Sequence, residues 1–212
     1  MHPPKRHPHR PRHAVAASVL TAATLLLASA CGSSTAATPG AAPASVGAWA
    51  PAPAAAAAAA VGATAPGGTF TTLDGTTLDV ASLRGKPTVL WFVAAGCSSC
   101  IASIPAVADH LQQLRNAGVQ VEVIDLYGDL GSGTQGAQDL RTLGTSLVGA
   151  RLTDPGWTWG TSSKDLSFSY DASGQPDVYY VLDRTGTITY TDGVPVSTMD
   201  QLLSHALTAA KT

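Results

Sequence analysis

The sequence predicts an α/β domain in which a central mixed sheet is flanked by helices and carries a β-hairpin extension at its amino end. Three observations carry that prediction. Residues 88–95, TVLWFVAA, form a continuous apolar run of the length expected for a strand buried on both faces. Directly after it, Ile101, Ile104, Val107, Ala108, Leu111 and Leu114 recur at three- and four-residue steps, the stripe of an amphipathic helix ending near Gly118. A second strand-like run, VQVEVIDLY at 119–127, follows. Strand, helix and strand in that order make a βαβ unit with a right-handed crossover.

The remaining elements follow along the chain. The Thr-rich segment from Gly67 turns at Asp74-Gly75, a strong hairpin signal. A Gly-rich loop at 128–136 leads to a helix from Ala137 to about Leu147, and ARLTDPG (150–156) reads as a short strand. A weaker helix is expected from Ser163 to Tyr170. PDVYYVLD (176–183) and TITYTDG (187–193) form a hairpin around Arg184-Thr185-Gly186. A closing helix starts with Ser197 or Thr198 as its N-cap.

The 212-residue chain opens on something other than this domain. Residues 1–13 hold Lys5, Arg6, Arg10 and Arg12 and no acid, and an Ala- and Leu-rich stretch runs from Ala14 to Ala30. That order reads as a secretory signal over residues 1–30. LLLASAC resembles a bacterial lipobox, and that resemblance implies Cys31 as the lipidated first residue of the mature protein, although the Leu favoured three places before the cysteine is Ala28 here. Ordinary cleavage after Ala28-Ser29-Ala30, giving a plainly secreted protein, is the alternative. Residues 32–66 contain no charged side chain. Such a segment cannot bury enough apolar surface to offset its ordering entropy, so 31–66 is expected to be a disordered Ala/Pro-rich tether and 67–212 the folded domain. As a flexible coil the tether reaches on the order of 30 Å.

Loss of the leader removes four basic residues. Eight Lys and Arg then face 14 Asp and Glu, a formal charge of −6. An acidic surface gives no reason to expect nucleic acid as a partner, and no basic patch to hold an anionic membrane. Attachment to a membrane must then come from the lipid.

Two cysteines, Cys97 and Cys100, stand at the turn from the buried strand into the amphipathic helix. A thiolate at a helix N-terminus is stabilised by free N–H groups and the helix dipole, which lowers the thiol pKa of Cys97 and makes it a nucleophile. Cys100, one turn deeper, can attack a mixed disulfide at Cys97, as in a dithiol–disulfide switch. Structural zinc needs four ligands, and His110 lies about 15 Å along the same helix. His205 is the remaining histidine of the domain. A soft two-thiolate Cu(I) site stays open as an alternative, as does a disulfide without catalytic use. Ala94, Ala95 and Gly96 stand where a two-cysteine peroxidase would carry Thr and Pro. A second candidate element is GQPDVYYVLD. Pro176 either simply precedes a strand or forms a cis bond with Gln175 that exposes the backbone of residue 175 to a substrate chain. Trp157 and Trp159 read as core packing, with a substrate-facing aromatic patch as the alternative. Glu122, the single glutamate, reads as a local ion pair or solvated edge, and Asp125 as a strand-end cap or a proton relay.

The stretch GTFTTLDGTTLDVASLRGKPTVLWFVAAGCSSCIASIP, with Pro105 in the helix, together with GQPDVYYVLDRTG, resembles the thioredoxin superfamily. Within it the likeness is to extracytoplasmic, membrane-anchored thiol–disulfide oxidoreductases of the TlpA/ResA type, over about residues 68–210. The resemblance implies a thioredoxin-like fold, Cys97 and Cys100 as the reactive pair, and Gln175 and Pro176 as substrate-binding residues. It implies protein thiol or disulfide substrates, a membrane redox partner, a monomer, and no cofactor beyond a Cys97–Cys100 disulfide. Three positions depart from the pattern: Gly96 replaces an aromatic residue, Trp91 an acidic or amide residue, and Ser103 a glutamate. A buried proton acceptor is therefore missing from its expected place. A metal-carrying module and a non-catalytic interaction domain are the competing classes.

Overall fold

The computed structural model describes residues 58–131, 133–171 and 173–212; Cys31 and the leader lie outside them. Seven strands form one mixed sheet: β1 (Thr69–Thr72), β2 (Thr77–Asp79), β3 (Thr88–Val93), β4 (Gln120–Asp125), β5 (Trp157–Ser162), β6 (Val178–Leu182) and β7 (Ile188–Gly193). Their order across the sheet is β2-β1-β5-β4-β3-β6-β7. The three central strands β3, β4 and β5 are parallel, and every outer pairing is antiparallel. Four helices complete the domain: α1 (Ser98–Asn116), α2 (Gly133–Val148), α3 (Lys164–Tyr170) and α4 (Pro195–Ala209).

The apolar run of β3 is buried at all six positions because it has a helix layer on each side. Val89, Trp91 and Val93 pack with α1, α2 and α4, while Leu90 and Phe92 pack with α3. Alternation along the pleat assigns these two faces. The stripe predicted for α1 is buried except at the half-buried Ile101, and the helix runs through Pro105. The hairpin turns at Gly75, whose φ of 89° suits a residue without a Cβ.

Several expectations need correction. The segment read as a strand at 150–156 is a 3₁₀ turn over Gly149–Thr153, and the strand follows it as β5. β5 escapes a pattern reading because Gly160 interrupts it. A Cβ at Gly160 would lie 2.7 Å from the Thr71 carbonyl oxygen, so close approach of β1 demands glycine. α4 starts at Pro195, not at 198–199, and Thr198 (φ −119°, ψ 25°) breaks its first turn. Its hydroxyl donates to the Gly193 carbonyl at 2.9 Å instead of capping a helix that begins after it. The folded part also begins before Gly67. Ala59 N–H bonds to Ser169, Gly62 N–H to Ile188 and Ala65 N–H to Gly186, and Thr64 bridges Thr187. Backbone pairing holds this stretch, and Ala59 and Ala65 pack against the core on the α3 side.

Glu122 is neither a solvated edge nor an ion pair. It is 1% exposed in the central strand β4, between Leu90 of β3 and Thr158 of β5. Burial pushes its carboxyl up to about 8, against a hydrogen bond from Thr158 and the charge of Lys86. Trp157 and Trp159 are core residues, edge to face with ring centroids 5.2 Å apart.

Candidate active site

The end of β3 and the start of α1 place the cysteines. Cys97 has extended dihedrals and is the N-cap residue of α1; its Sγ accepts the Cys100 N–H at 3.1 Å. The Ser99 hydroxyl lies 3.2 Å from the same sulfur. A sulfur in this position has two donors and the positive end of a 19-residue helix, which together favour its anionic form. Cys97 is half-buried and Cys100 is fully buried. The two are joined as a disulfide, with Cα atoms 5.3 Å apart.

Neither histidine completes a metal set around them. His205 is stacked on Tyr190, with ring centroids 3.7 Å apart and planes 5° from parallel. His110 stays on α1, nearly three turns beyond Cys100 as the sequence implies.

The turn at Pro176 differs from the expected one. The Gln175–Pro176 bond is trans, as is every peptide bond among the described residues, so the expected cis bond is not there. An X–Pro bond prefers trans unless the surrounding fold imposes otherwise. Here the next residue makes the chain reversal: Asp177 adopts φ 75°, a region that Asp tolerates better than most residues. Its N–H donates to the Phe92 carbonyl at 2.8 Å, and its carbonyl accepts the Val194 N–H at 2.7 Å. Val194, at φ 51°, is the other non-glycine residue with positive φ among those described. Such conformations cost on the order of 1–3 kcal/mol each and gather where a site is held against its local preference. Gln175 is exposed, and its N–H donates to the Asp171 carboxylate at 2.8 Å.

Asp177 is the site residue that the sequence did not disclose. It is 1% exposed, and one of its carboxylate oxygens lies within 4.8 Å of both cysteine sulfurs. Oδ1 accepts the Trp91 indole N–H at 3.0 Å and Oδ2 the Ser103 hydroxyl at 3.2 Å. The Ser103 oxygen in turn accepts the Val196 N–H at 3.1 Å. Burial raises the Asp177 pKa; hydrogen bonds from Ser99, Trp91 and Ser103 oppose it. Trp91 and Ser103 are the positions where the resemblance expects polar or acidic groups. Both carry donors instead, and both donors meet one carboxylate brought in from the other side of the cysteines. An acid inside a segment otherwise rich in strand formers, straight after Pro176, was the available signal.

Asp125 is also buried, with both carboxylate oxygens unpartnered, at the end of β4 beside Val93. Burial, and then the charge of Asp129, push it up to about 8. Asp129 accepts the Ala95 N–H at 2.5 Å, in the loop before Cys97.

The Redoxin family profile matches residues 60–206, most of the chain and the whole of this site. The chain belongs to the Redoxin family. Over 40 residues it is 50% identical to the soluble secreted antigen MPT53 of Mycobacterium tuberculosis and of Mycobacterium bovis. That match spans 19% of this chain and 23% of the relative's length. Among solved structures, the thioredoxin domain of a thiol-disulfide oxidoreductase from Bacteroides vulgatus superposes with a TM-score of 0.53 at 19% identity, over 68% of this chain and 98% of the other. A thiol:disulfide interchange protein from a Bacteroides species gives 0.51 at 18%, over 69% and 91%. A peroxiredoxin-like protein from Aquifex aeolicus gives 0.55 at 14%, over 73% and 90%. These likenesses establish a thioredoxin-like fold, here with a CxxC pair at disulfide distance.

Proposed function

We propose that this redoxin is an exported thiol–disulfide oxidoreductase of the TlpA/ResA type, held at the outer face of a bacterial cell membrane by a lipid on Cys31. It exchanges the Cys97–Cys100 pair with thiols and disulfides of other proteins and with a membrane redox partner. The observation that supports this best is the placement of Cys97 at the N-cap of α1 with Cys100 buried one turn behind it.

In the reducing direction the Cys97 thiolate attacks a substrate disulfide. A Cys97–substrate bond forms, the substrate S–S bond breaks, and one substrate sulfur leaves as thiolate. Cys100 then attacks Cys97 Sγ, closes the intramolecular disulfide and expels the second substrate sulfur, so two electrons pass to the substrate. The reverse sequence oxidises a dithiol.

Substrate chains lie across the exposed turn at Gln175 and Pro176. A cavity of about 310 Å³ adjoins this turn at Gly174, with the exposed rings of Tyr127 and Phe168 on its wall. Export is supported by the basic and apolar leader and by the name of the curated relative, a secreted antigen. The anchor at Cys31 is supported by LLLASAC and the uncharged segment behind it; no described helix is long and apolar enough to cross a membrane.

Trapping tests the roles. Cys100→Ser should accumulate mixed disulfides with natural partners, because nothing remains to release them, and Cys97→Ser should trap far fewer. Equal trapping by the two variants overturns the assignment; trapping by neither overturns the exchange function.

A further inference from the structure

We propose that Asp177 is the proton acceptor for Cys100, standing in for an acid that the strand before the cysteines does not carry. The inference rests on the dithiol reading above and adds to it a residue and a step.

Three observations lead there. The Asp177 carboxylate and the two sulfurs lie within 4.8 Å of one another, a span that one thiol rotation or one water closes. Ser103, which donates to Oδ2, is one turn beyond Cys100 on the same buried face of α1, so the carboxylate sits over the resolving cysteine. The backbone accepts a positive φ at Asp177, bonded to a second such residue at Val194, to hold it there. Both oxygens are satisfied by donors that favour the ionised form, the form able to take a proton. Burial works in the other direction and brings the acid nearer to the thiol range, where acceptance is better matched. The groups facing Asp177 are Trp91 from β3, Ser99, Ser103 and the two cysteines from α1, and the Val194 N–H ahead of α4.

The step balances as follows. In the mixed disulfide, Cys100 gives its S–H proton to the Asp177 carboxylate as its sulfur attacks Cys97 Sγ. The Cys97–Cys100 bond forms and the Cys97–substrate bond breaks. The departing thiolate takes the proton from Asp177, which returns to the carboxylate. In reverse, an incoming thiol gives its proton to the Asp177 carboxylate as its sulfur attacks Cys97 Sγ, the Cys97–Cys100 bond breaks, and Cys100 leaves with that proton from Asp177.

The full domain, reduced and mixed with 5,5′-dithiobis(2-nitrobenzoate), separates the two half-steps. The first coloured thiolate reports attack by Cys97 and the second reports closure by Cys100. Asp177→Asn keeps a side chain suited to positive φ and removes the acceptor. Its first phase should stay within about twofold of wild type. Its second phase should slow about a hundredfold at pH 7, the scale of general-base catalysis, and recover as pH rises. A second phase at the wild-type rate across pH, or equal slowing of both phases, overturns the inference. Ser103→Ala keeps the acid but removes one donor to its ionised form. It should move the second-phase profile to higher pH with the first phase unchanged; an unmoved profile again overturns the inference. A wild type that releases only one equivalent sinks the dithiol reading, and this inference with it.

Discussion

Trp91 and Asp177 are 86 residues apart in the chain and joined by an indole N–H to carboxylate hydrogen bond of 3.0 Å. Trp91 is fully buried and Asp177 nearly so. The bond ties the central strand to the turn after Pro176, directly beside the cysteine pair. It also explains how a large aromatic residue can occupy a strand position where a carboxylate is expected: the ring brings its own donor to an acid that arrives from elsewhere.

Trp91→Phe should therefore cost more at high pH than at low pH. A hydrogen bond to a charged group is worth about 1.5–3 kcal/mol, and the indole favours the ionised carboxylate. Without it, the already raised pKa of Asp177 rises further. The penalty is smallest where the acid is protonated in both folded proteins and largest where wild type holds it ionised. Urea unfolding of both proteins at pH 5 and pH 8 measures the difference, and equal penalties at the two values contradict it.

Glu122 and Asp125 should make the fold less stable as pH rises. Each has a folded pKa of about 8, above the ordinary carboxylate value, so the folded state binds more protons than the unfolded chain between those limits. Their neutral-form stabilisation is complete below the unfolded pKa, declines as pH rises towards 8 and levels off above it. One differential proton changes stability by about 1.4 kcal/mol per pH unit. Glu122→Gln, or Asp125→Asn, should flatten the wild-type decline between pH 5 and pH 8 by roughly that slope. A decline that neither substitution alters would contradict the assignment.

Gly160→Ala should loosen the β1–β2 hairpin. The added Cβ meets the Thr71 carbonyl at 2.7 Å and the Phe70 ring at 3.0 Å, so β1 must move off β5. Overpacking of this kind costs about 1–3 kcal/mol. Amide exchange should quicken first at Leu73, whose N–H donates to the Trp159 carbonyl at 3.0 Å across the β1–β5 pairing. Unchanged protection in β1 would show that the strand pair absorbs the methyl group.

Cys31→Ser should release the protein from membranes. Fractionation of a bacterium making the full-length chain, wild type against variant, reads this directly. A variant that stays as membrane-bound as wild type rules out lipidation at Cys31 as the anchor.

The parts of this domain that can be read from sequence are those written in one window. β3 is a six-residue buried run, the α1 stripe follows at helical spacing, and the cysteines stand between them. Asp177 could not be read this way, because its partners Ser103 and Trp91 are 74 and 86 residues distant. Glu122 misleads for a related reason. A lone acid in a strand is ordinarily at an edge, and only the sheet order puts β4 in the middle. β5 was obscured by Gly160, a concession to β1 that no local pattern explains. The trans bond at Pro176 belongs with these cases, since the proline was in the predicted place while the reversal was assigned to its neighbour.

The three described tryptophans have unlike indole environments. Trp91 donates to a carboxylate and Trp157 to the Arg151 carbonyl at 3.0 Å, while Trp159 Nε1 is buried without a partner. Their indole proton resonances should be well separated, with the Trp91 signal alone tracking the charge on Asp177. The molecule thus carries its own indicator: an unlabelled sample, titrated in its disulfide and dithiol forms, would report at one resonance how strongly the buried acid feels the state of the two sulfurs.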